Sequence, residues 1–112
     1  MSEKVINIGK CFSAVPAGRL KTDGPNSGER FRDEILVPAL KENDSVVVEL
    51  SDIEGVGSSF LEEAFGGIIR NHLLSYQELN SKLKITATPL FELCVGQIKR
   101  YIERAAENIS VQ

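Results

Sequence analysis

The run SVVVEL, residues 45–50, constrains the fold more than any other stretch of the chain. It is a short, continuous apolar segment, which is typical of a central strand covered on both faces. Helical patterns precede and follow it, and this alternation indicates a layered α/β fold. Both helices should run antiparallel to the strand. We therefore expect both helix N-termini near its C-terminal end, the edge where ligands and partners of open α/β sheets usually bind.

The helix before this strand is predicted to begin near Ser27. Asn26, followed three residues later by Glu29, fits a capped start. Pro38 lacks an N–H group and should kink the helix or separate its last turn. Arg32, Asp33 and Lys41 are expected on the surface of this helix. The apolar residues that recur at three- and four-residue spacing are Phe31, Ile35, Leu36, Ala39 and Leu40.

The helix after the strand is predicted to begin near Ser59, and it contains the pair Gly66-Gly67. Glycine costs about 1 kcal/mol in a helix relative to alanine, so the pair indicates close packing against a neighbour. A further strand is expected at LKITA, residues 83–87. The final helix should start at Thr88-Pro89, because proline is tolerated at the first helical position. Its apolar stripe is compatible with the core or with a dimer seam.

Two more strands are expected near the N-terminus, in KVINIG and between Cys11 and Val15. The element order then predicts an α/β fold with a small mixed sheet of about four strands and about three helices. A chain of 112 residues is expected to form a single domain over residues 1–112. The link from residues 45–50 to residues 83–87 should be a right-handed parallel crossover.

A long loop, PAGRLKTDGPNSGE at residues 16–29, separates the N-terminal strands from the first long helix. Loops of this length in small domains are usually functional or disordered. Arg19 and Lys21 lie on it and, with two helix N-termini nearby, could form an anion-friendly patch. The alternative is that Arg19 is an ordinary loop arginine. Gly18, Gly24 and Gly28 do not match a phosphate-binding P-loop and most simply supply positive φ in turns. Asp23 is expected to form a turn.

The stretch GVGSSFLEEAFGG, residues 55–67, places paired serines at the start of the second helix. Ser59 and Glu62 have capping-box spacing, which favours a structural role for Ser59. Ser58, exposed at the positive end of the helix, could accept a phosphate. These two interpretations are compatible. Glu62 and Glu63 are read as a solvated first turn.

The same serines carry a resemblance to a known family. A short apolar strand followed by paired serines opening a helix resembles the STAS domain of anti-sigma-factor antagonists, whose first serine is phosphorylated by a partner kinase of the histidine-kinase ATPase superfamily. PAGRLKTDGPNSGERFRDEILVPAL and SSFLEEAFGGIIR are more closely similar to the STAS-like family of unknown function of bacteria and phages. This resemblance implies a STAS-like fold for the mixed sheet and its helices. By position, Ser58 matches the phosphorylated serine. Gly57 stands where the antagonists have aspartate, and Phe60 where they have glycine.

Several classes of function are disfavoured. A net charge of −3 argues against nucleic-acid binding, which depends on neutralising phosphates. No secretory signal or apolar span is visible, so a cytoplasmic protein is expected, and the resemblance implies a bacterial one. Cys11 and Cys94 lack metal-ligand spacing and should be reduced and buried. His72, the only histidine, has no visible partner for catalysis, so no enzymatic activity, metal or cofactor is expected.

Two functional hypotheses remain open. The first is a regulatory protein-interaction module, a phosphorylation-sensitive switch that binds a histidine-kinase-type ATPase or another protein partner. The second is a small-molecule or anion-binding module that uses the 18–28 loop and the two helix N-termini. The candidate phosphorylation sites are Ser58 and Ser59. The candidate partner or anion contacts are Arg19, Lys21, Ser27, Gly28 and Gly57.

Overall fold

The computed structural model describes residues 2–110, which form three strands and five helices. Strand β1 spans Glu3–Asn7, β2 spans Ser45–Leu50 and β3 spans Leu83–Ala87. Helix α1 is the single turn Ile8–Cys11, α2 runs over residues 28–42, α3 over residues 58–70, α4 spans Tyr76–Lys82 and α5 spans Glu92–Ser110. Short 3-10 turns at Lys21–Asp23 and Pro89–Phe91 complete the regular structure.

The three strands form one parallel sheet in the order β1-β2-β3. Val47 of β2 lies between Val5 and Lys84 in the register. The central position predicted for residues 45–50 is therefore confirmed, and so is its parallel link to residues 83–87. The expected mixed sheet of four strands is wrong for the described residues, because they form three strands and every pairing is parallel. The expected three helices are also too few, because α1 and α4 are additional to the three that were predicted.

The strand expected between Cys11 and Val15 is also absent from the described structure. The chain instead turns into α1 directly after β1, and the Asn7 side chain caps that turn by accepting a hydrogen bond from the Lys10 N–H (3.0 Å). Gly9 makes the turn possible, because a Cβ there would stand 2.0 Å from the Asp52 carbonyl oxygen. Asparagine is a strong N-cap, and this local signal outweighs the apolar residues that favoured a strand.

Only one face of the sheet is fully covered. Val46, Val48 and Leu50 of β2 are completely buried, whereas Val5 of β1 on the opposite face is 49% exposed. The expectation that β2 is covered on both faces is therefore wrong. The helices pack on the buried face, where the central side chains include Phe31, Phe60, Phe65, Leu40 and Ile98.

Both long central helices contain a π-helical turn. In α2, the π-helical residues Arg32–Leu36 separate the α-helical segments Gly28–Phe31 and Val37–Glu42. The helix continues through Pro38 without ending there. In α3, the π-helical residues Glu62–Gly66 separate Ser58–Leu61 from Gly67–Arg70. π-Turns of this kind often occur at functional sites.

The last helix contributes to the core. Ile98, Ile102 and Ala105 of α5 are buried against the rest of the molecule. The apolar stripe predicted for this helix is thus a packing face. Thr88-Pro89 opens a 3-10 turn, after which α5 begins at Glu92. None of the helices in the described part of the chain is long and apolar enough to cross a membrane.

Candidate functional site

The N-termini of α2 and α3 meet beyond the C-terminal end of β2, as the topology predicts. Gly28, the first residue of α2, lies so close to α3 that a Cβ there would stand 2.5 Å from the Phe60 carbonyl oxygen. The long loop crosses the same place, because the Gly57 N–H donates to the Pro16 carbonyl (3.3 Å). The loop and both helix starts therefore form one continuous edge, named here the serine edge: residues 16–30 and 57–63.

The loop caps the start of α2. Ser27 is completely buried and is the N-cap of the helix, a role that the sequence had suggested for Asn26. The first four N–H groups of α2 all have acceptors: Gly28 to the Gly18 carbonyl (2.9 Å), Glu29 to the Arg19 carbonyl (3.0 Å), Arg30 to the Ser27 hydroxyl (3.2 Å) and Phe31 to the Ser27 carbonyl (3.1 Å). Ser27 and Gly28 thus hold the loop in place. The N-terminus of α2 therefore has no free N–H donors to offer an anion, which weakens the anion-binding hypothesis.

The start of α3 is arranged differently. Gly57 is the N-cap and offers no side-chain hydrogen bond. Ser58 and Ser59 are exposed, and within residues 2–110 neither hydroxyl makes an intramolecular hydrogen bond. Among the same residues, the backbone N–H groups of Ser58, Ser59 and Phe60 also have no acceptor. This end of the helix is open to solvent and presents free donors beside two free hydroxyls.

The predicted capping box between Ser59 and Glu62 is wrong. Glu62 does not reach back to the start of α3, because its carboxylate binds two arginines. Arg19 of the loop donates to Glu62 Oε1, and Arg70, at the end of α3, donates to Glu62 Oε2 at 2.6 Å. Charge-assisted bonds of this kind are about twice as strong as neutral ones, so they outcompete a single backbone cap.

Glu63 joins the same network from the interior. Arg32 of α2 donates to its Oε2 at 2.5 Å, Arg19 donates to its Oε1 at 3.2 Å, and Arg70 donates to Oε1 at 3.1 Å. Arg32 and Glu63 are only 5% and 7% exposed. The reading of Glu62-Glu63 as a solvated first turn is therefore wrong, and Arg32, expected on the surface, is buried. Three arginines converge on two adjacent carboxylates where α2, α3 and the loop meet.

The network changes the acid–base properties of its members. Burial alone would raise the pKa of Glu62, but the hydrogen bonds from Arg70 and Arg19 outweigh it and lower that pKa below its ordinary value. The hydrogen bond to Glu62 is the main cause of the raised pKa of Arg19 and also of Arg70. For Arg32, burial opposes the charge, yet its bonds to Asp33 and Glu63 leave the pKa raised. Glu62 and the three arginines are therefore charged at neutral pH.

The glycine pair in α3 makes room for the network. A Cβ at Gly67 would stand 2.5 Å from Arg32 Nη1 and 3.0 Å from Glu63 Oε2. A Cβ at Gly66 would approach the Tyr101 carbonyl oxygen of α5 to 3.2 Å. The close packing predicted for Gly66-Gly67 is confirmed. The glycines alone did not predict the Arg32–Glu63 ion pair that they accommodate.

The remaining loop residues mostly have structural roles. Asp23 Oδ2 accepts hydrogen bonds from the backbone N–H groups of Arg19 (3.2 Å) and Leu20 (2.8 Å), which fits the turn-forming role expected of it. Gly18 and Gly24 have φ values of 93° and 151°, as predicted for turn glycines. The same prediction is wrong for Gly28, which is the first residue of α2 and has no positive φ. Lys21 is exposed, and its Nζ lies 3.9 Å from Asp33 Oδ2.

Three other residues singled out by sequence lie away from the serine edge. His72 is exposed just beyond the end of α3 and adopts a positive φ of 57°. Cys11 is exposed, so its expected burial is wrong, whereas Cys94 is half-buried and burial raises the pKa of its thiol. Within residues 2–110, no group of three or more potential ligands is placed to hold a metal ion.

Residues 27–88, more than half of the chain, match the family described as a STAS-like domain of unknown function (DUF4325). The chain belongs to this family. The match includes α2, β2, α3 and β3 of this STAS-like domain. It therefore also includes Ser58 and Ser59 and the neighbouring Glu62 and Glu63. No curated protein and no solved structure is significantly similar to the chain.

Proposed function

We propose that this STAS-like domain is a regulatory protein-interaction module whose docking surface, the serine edge, is switched by phosphorylation of Ser58. The observation that carries the proposal is the open start of α3, where Ser58 and Ser59 are exposed and their hydroxyls have no partner within the described residues. A buried or hydrogen-bonded serine could not enter a kinase active site without local unfolding. These serines need no such step. The domain then acts by binding and not by catalysis.

The start of α3 can accommodate a phosphate without loss of the fold. The free N–H groups of Ser59 and Phe60 and the positive end of the helix dipole both favour an anion there. A phosphoserine carries close to two negative charges at neutral pH. The expected consequence is a change in surface charge on an intact domain, which can dismiss an acidic partner or recruit a basic one.

The neighbouring ion pairs offer a route by which the phosphate could change the loop. Residues four apart on a helix lie on the same face, so Ser58 stands one turn before Glu62 and Ser59 one turn before Glu63. Both glutamates bind Arg19. A phosphate on either serine competes with these carboxylates for Arg19. Because Arg19 belongs to the loop, a change of its partner would move the loop as well. The shape and the charge of the serine edge would then change together.

The partner we propose is a protein of the histidine-kinase type of ATPase, by similarity to the STAS antagonists. Gly57 stands where those antagonists have aspartate, so a kinase must find its contacts elsewhere on this edge. The loop at residues 16–27 supplies these contacts to the kinase. Arg19 and Lys21 are its basic side chains, and both are partly accessible.

Intact-mass spectrometry after incubation with ATP and a lysate of the source organism tests the phosphorylation directly. We expect an adduct of one phosphate on the wild type and on Ser81→Ala, an exposed serine of α4 that serves as the matched control. The adduct should vanish in Ser58→Ala. Retention of the adduct in Ser58→Ala, or no adduct on any variant, would contradict the proposal.

A further inference from the structure

A cleft of about 260 Å³ opens beside the ion-pair network, between α3 and α5. Its polar lining comes from three separate segments. Arg19 belongs to the loop, Glu62 and Arg70 to α3, and Tyr101, Arg104 and Asn108 to α5. None of these residues except Arg19 was singled out by sequence as part of a binding site.

The cleft carries more positive than negative charge. Arg19, Arg70 and Arg104 face a single lining carboxylate, that of Glu62. Glu63, which also binds Arg19 and Arg70, and Asp33 are compensated by Arg32, which binds both carboxylates, and by Lys21, 3.9 Å from Asp33. Arg104 has no ion-pair partner among residues 2–110. The lining therefore has a surplus of two positive charges, in a chain whose net charge is −3.

The arginines are held in position and still have donors to offer. Glu62 binds both Arg19 and Arg70, and this bridge fixes the two guanidinium groups next to each other. Their side chains remain 42% and 45% exposed. A guanidinium has five N–H donors, and Arg19 uses only Nη1 in its bonds to the glutamates. Arg104 is exposed on the opposite wall, so a ligand could meet guanidinium groups from two sides.

We propose that this cleft binds a small phosphorylated molecule through Arg19, Arg70 and Arg104. A carboxylate presents two oxygens and one charge, whereas a terminal phosphate presents three oxygens and close to two charges. Three guanidinium groups with a surplus of two positive charges match the phosphate better. The volume has room for a phosphate with a small organic group, which would lie along Tyr101 and Asn108. The proposal shares Arg19 with the serine edge, but it does not require phosphorylation of Ser58, and Arg70 and Arg104 lie outside that edge.

Calorimetric titration and thermal unfolding with inorganic phosphate and pyrophosphate test the site. A ligand that binds only the folded state raises the unfolding temperature in proportion to its occupancy. Chloride and succinate at matched ionic strength separate phosphate recognition from screening and from general binding of carboxylates. We expect saturable stabilisation by pyrophosphate, weaker stabilisation by phosphate, and no saturable response to chloride or succinate.

Two exposed arginines of α5 form a matched pair of variants. Arg104→Gln removes one wall of the site, and we expect pyrophosphate to bind it about tenfold more weakly or worse. Arg100→Gln removes the same charge outside the cleft and should bind as the wild type does. Equal weakening by both variants, unchanged binding in Arg104→Gln, or an equal response to succinate would overturn the proposal.

Discussion

Glu62 and Glu63 are neighbours in sequence, but their surroundings differ. Glu63 is buried against Arg32, whereas Glu62 lies at the rim between Arg19 and Arg70. A buried charge that loses its partner is strongly destabilising, while a partly exposed pair contributes less because solvent screens it. The two positions should therefore respond differently to mutation.

Replacing Arg32 by methionine should destabilise the domain by about 3–5 kcal/mol, because Glu63 would remain buried without its closest partner. Urea unfolding followed by circular dichroism measures this. Arg100→Met, at an exposed position of α5, should change the stability by less than about 0.5 kcal/mol. The double variant Arg32→Met/Glu63→Leu should recover part of the loss. Equal stabilities for Arg32→Met and Arg100→Met would contradict a structural role for the buried pair.

Glu62 should make folding stability depend on acid pH. Its pKa is lower in the folded protein than in the unfolded chain, where a glutamate titrates near about 4.3. Its contribution is therefore complete above that unfolded-state pKa and is lost as the pH falls through the folded-state pKa. Glu62→Gln should be less stable than the wild type at pH 7, and the difference should shrink below about pH 4. A difference that stays constant from pH 7 to pH 3 would be evidence against this linkage.

His72 is the residue that ends α3 in a left-handed conformation, with φ 57°. Its N–H donates to the Ile69 carbonyl and the Leu73 N–H donates to the Ile68 carbonyl, the pattern of a Schellman cap. Glycine adopts this conformation without strain, so His72→Gly should stabilise the domain by roughly 0.5–1 kcal/mol. Thermal unfolding at pH 7.5 measures the effect. A loss of stability would show that the histidine side chain has a role not visible in these contacts.

At the scale of elements, α2 and α3 are joined by the contact of Gly28 with the Phe60 carbonyl. Gly28→Ala places a methyl group 2.5 Å from that backbone oxygen and should destabilise by about 1–3 kcal/mol. Gly96→Ala in α5 is the matched control, because a Cβ there meets nothing within 4 Å. It should stabilise by up to about 1 kcal/mol through higher helix propensity. Chemical denaturation measures the change in the free energy of unfolding for each variant, which should have opposite signs. The same sign for both would contradict the close approach of Gly28 to the Phe60 carbonyl.

The helices and strands could largely be predicted from sequence where the hydrophobic pattern continues over several residues. The paired strands at residues 45–50 and 83–87 and the apolar stripe of α5 follow from local patterns that the tertiary structure preserves. The turn of helix at Ile8–Cys11 could not, because it depends on the Asn7 cap and on the approach of Gly9 to Asp52. The π-turns also carry no local signal. Both occur where α2 and α3 cross around the Arg32–Glu63 pair.

At the scale of the whole molecule, the parallel order of the strands brings the serine edge together. That convergence followed from topology alone, because each helix must start where the strand ends. The ion-pair network did not, since Arg19 and Glu62 are 43 residues apart in sequence. Side-chain partners at such distances leave no periodic trace in a single sequence. The exposure of Ser58 could be predicted from the sequence. The hydrogen bonds that Arg19 and Arg70 donate to the Glu62 carboxylate could not.

The central claim is that a phosphate on Ser58 changes the serine edge while the fold persists. Hydrogen exchange on protein carrying phosphoserine at position 58, compared with phosphoserine at Ser81, tests it most directly. We predict faster exchange in residues 17–29, whose amides depend on the loop that Arg19 anchors, and unchanged protection of β2. Exchange in residues 17–29 that is the same for both phosphoproteins would contradict the claim, as would loss of protection throughout the sheet.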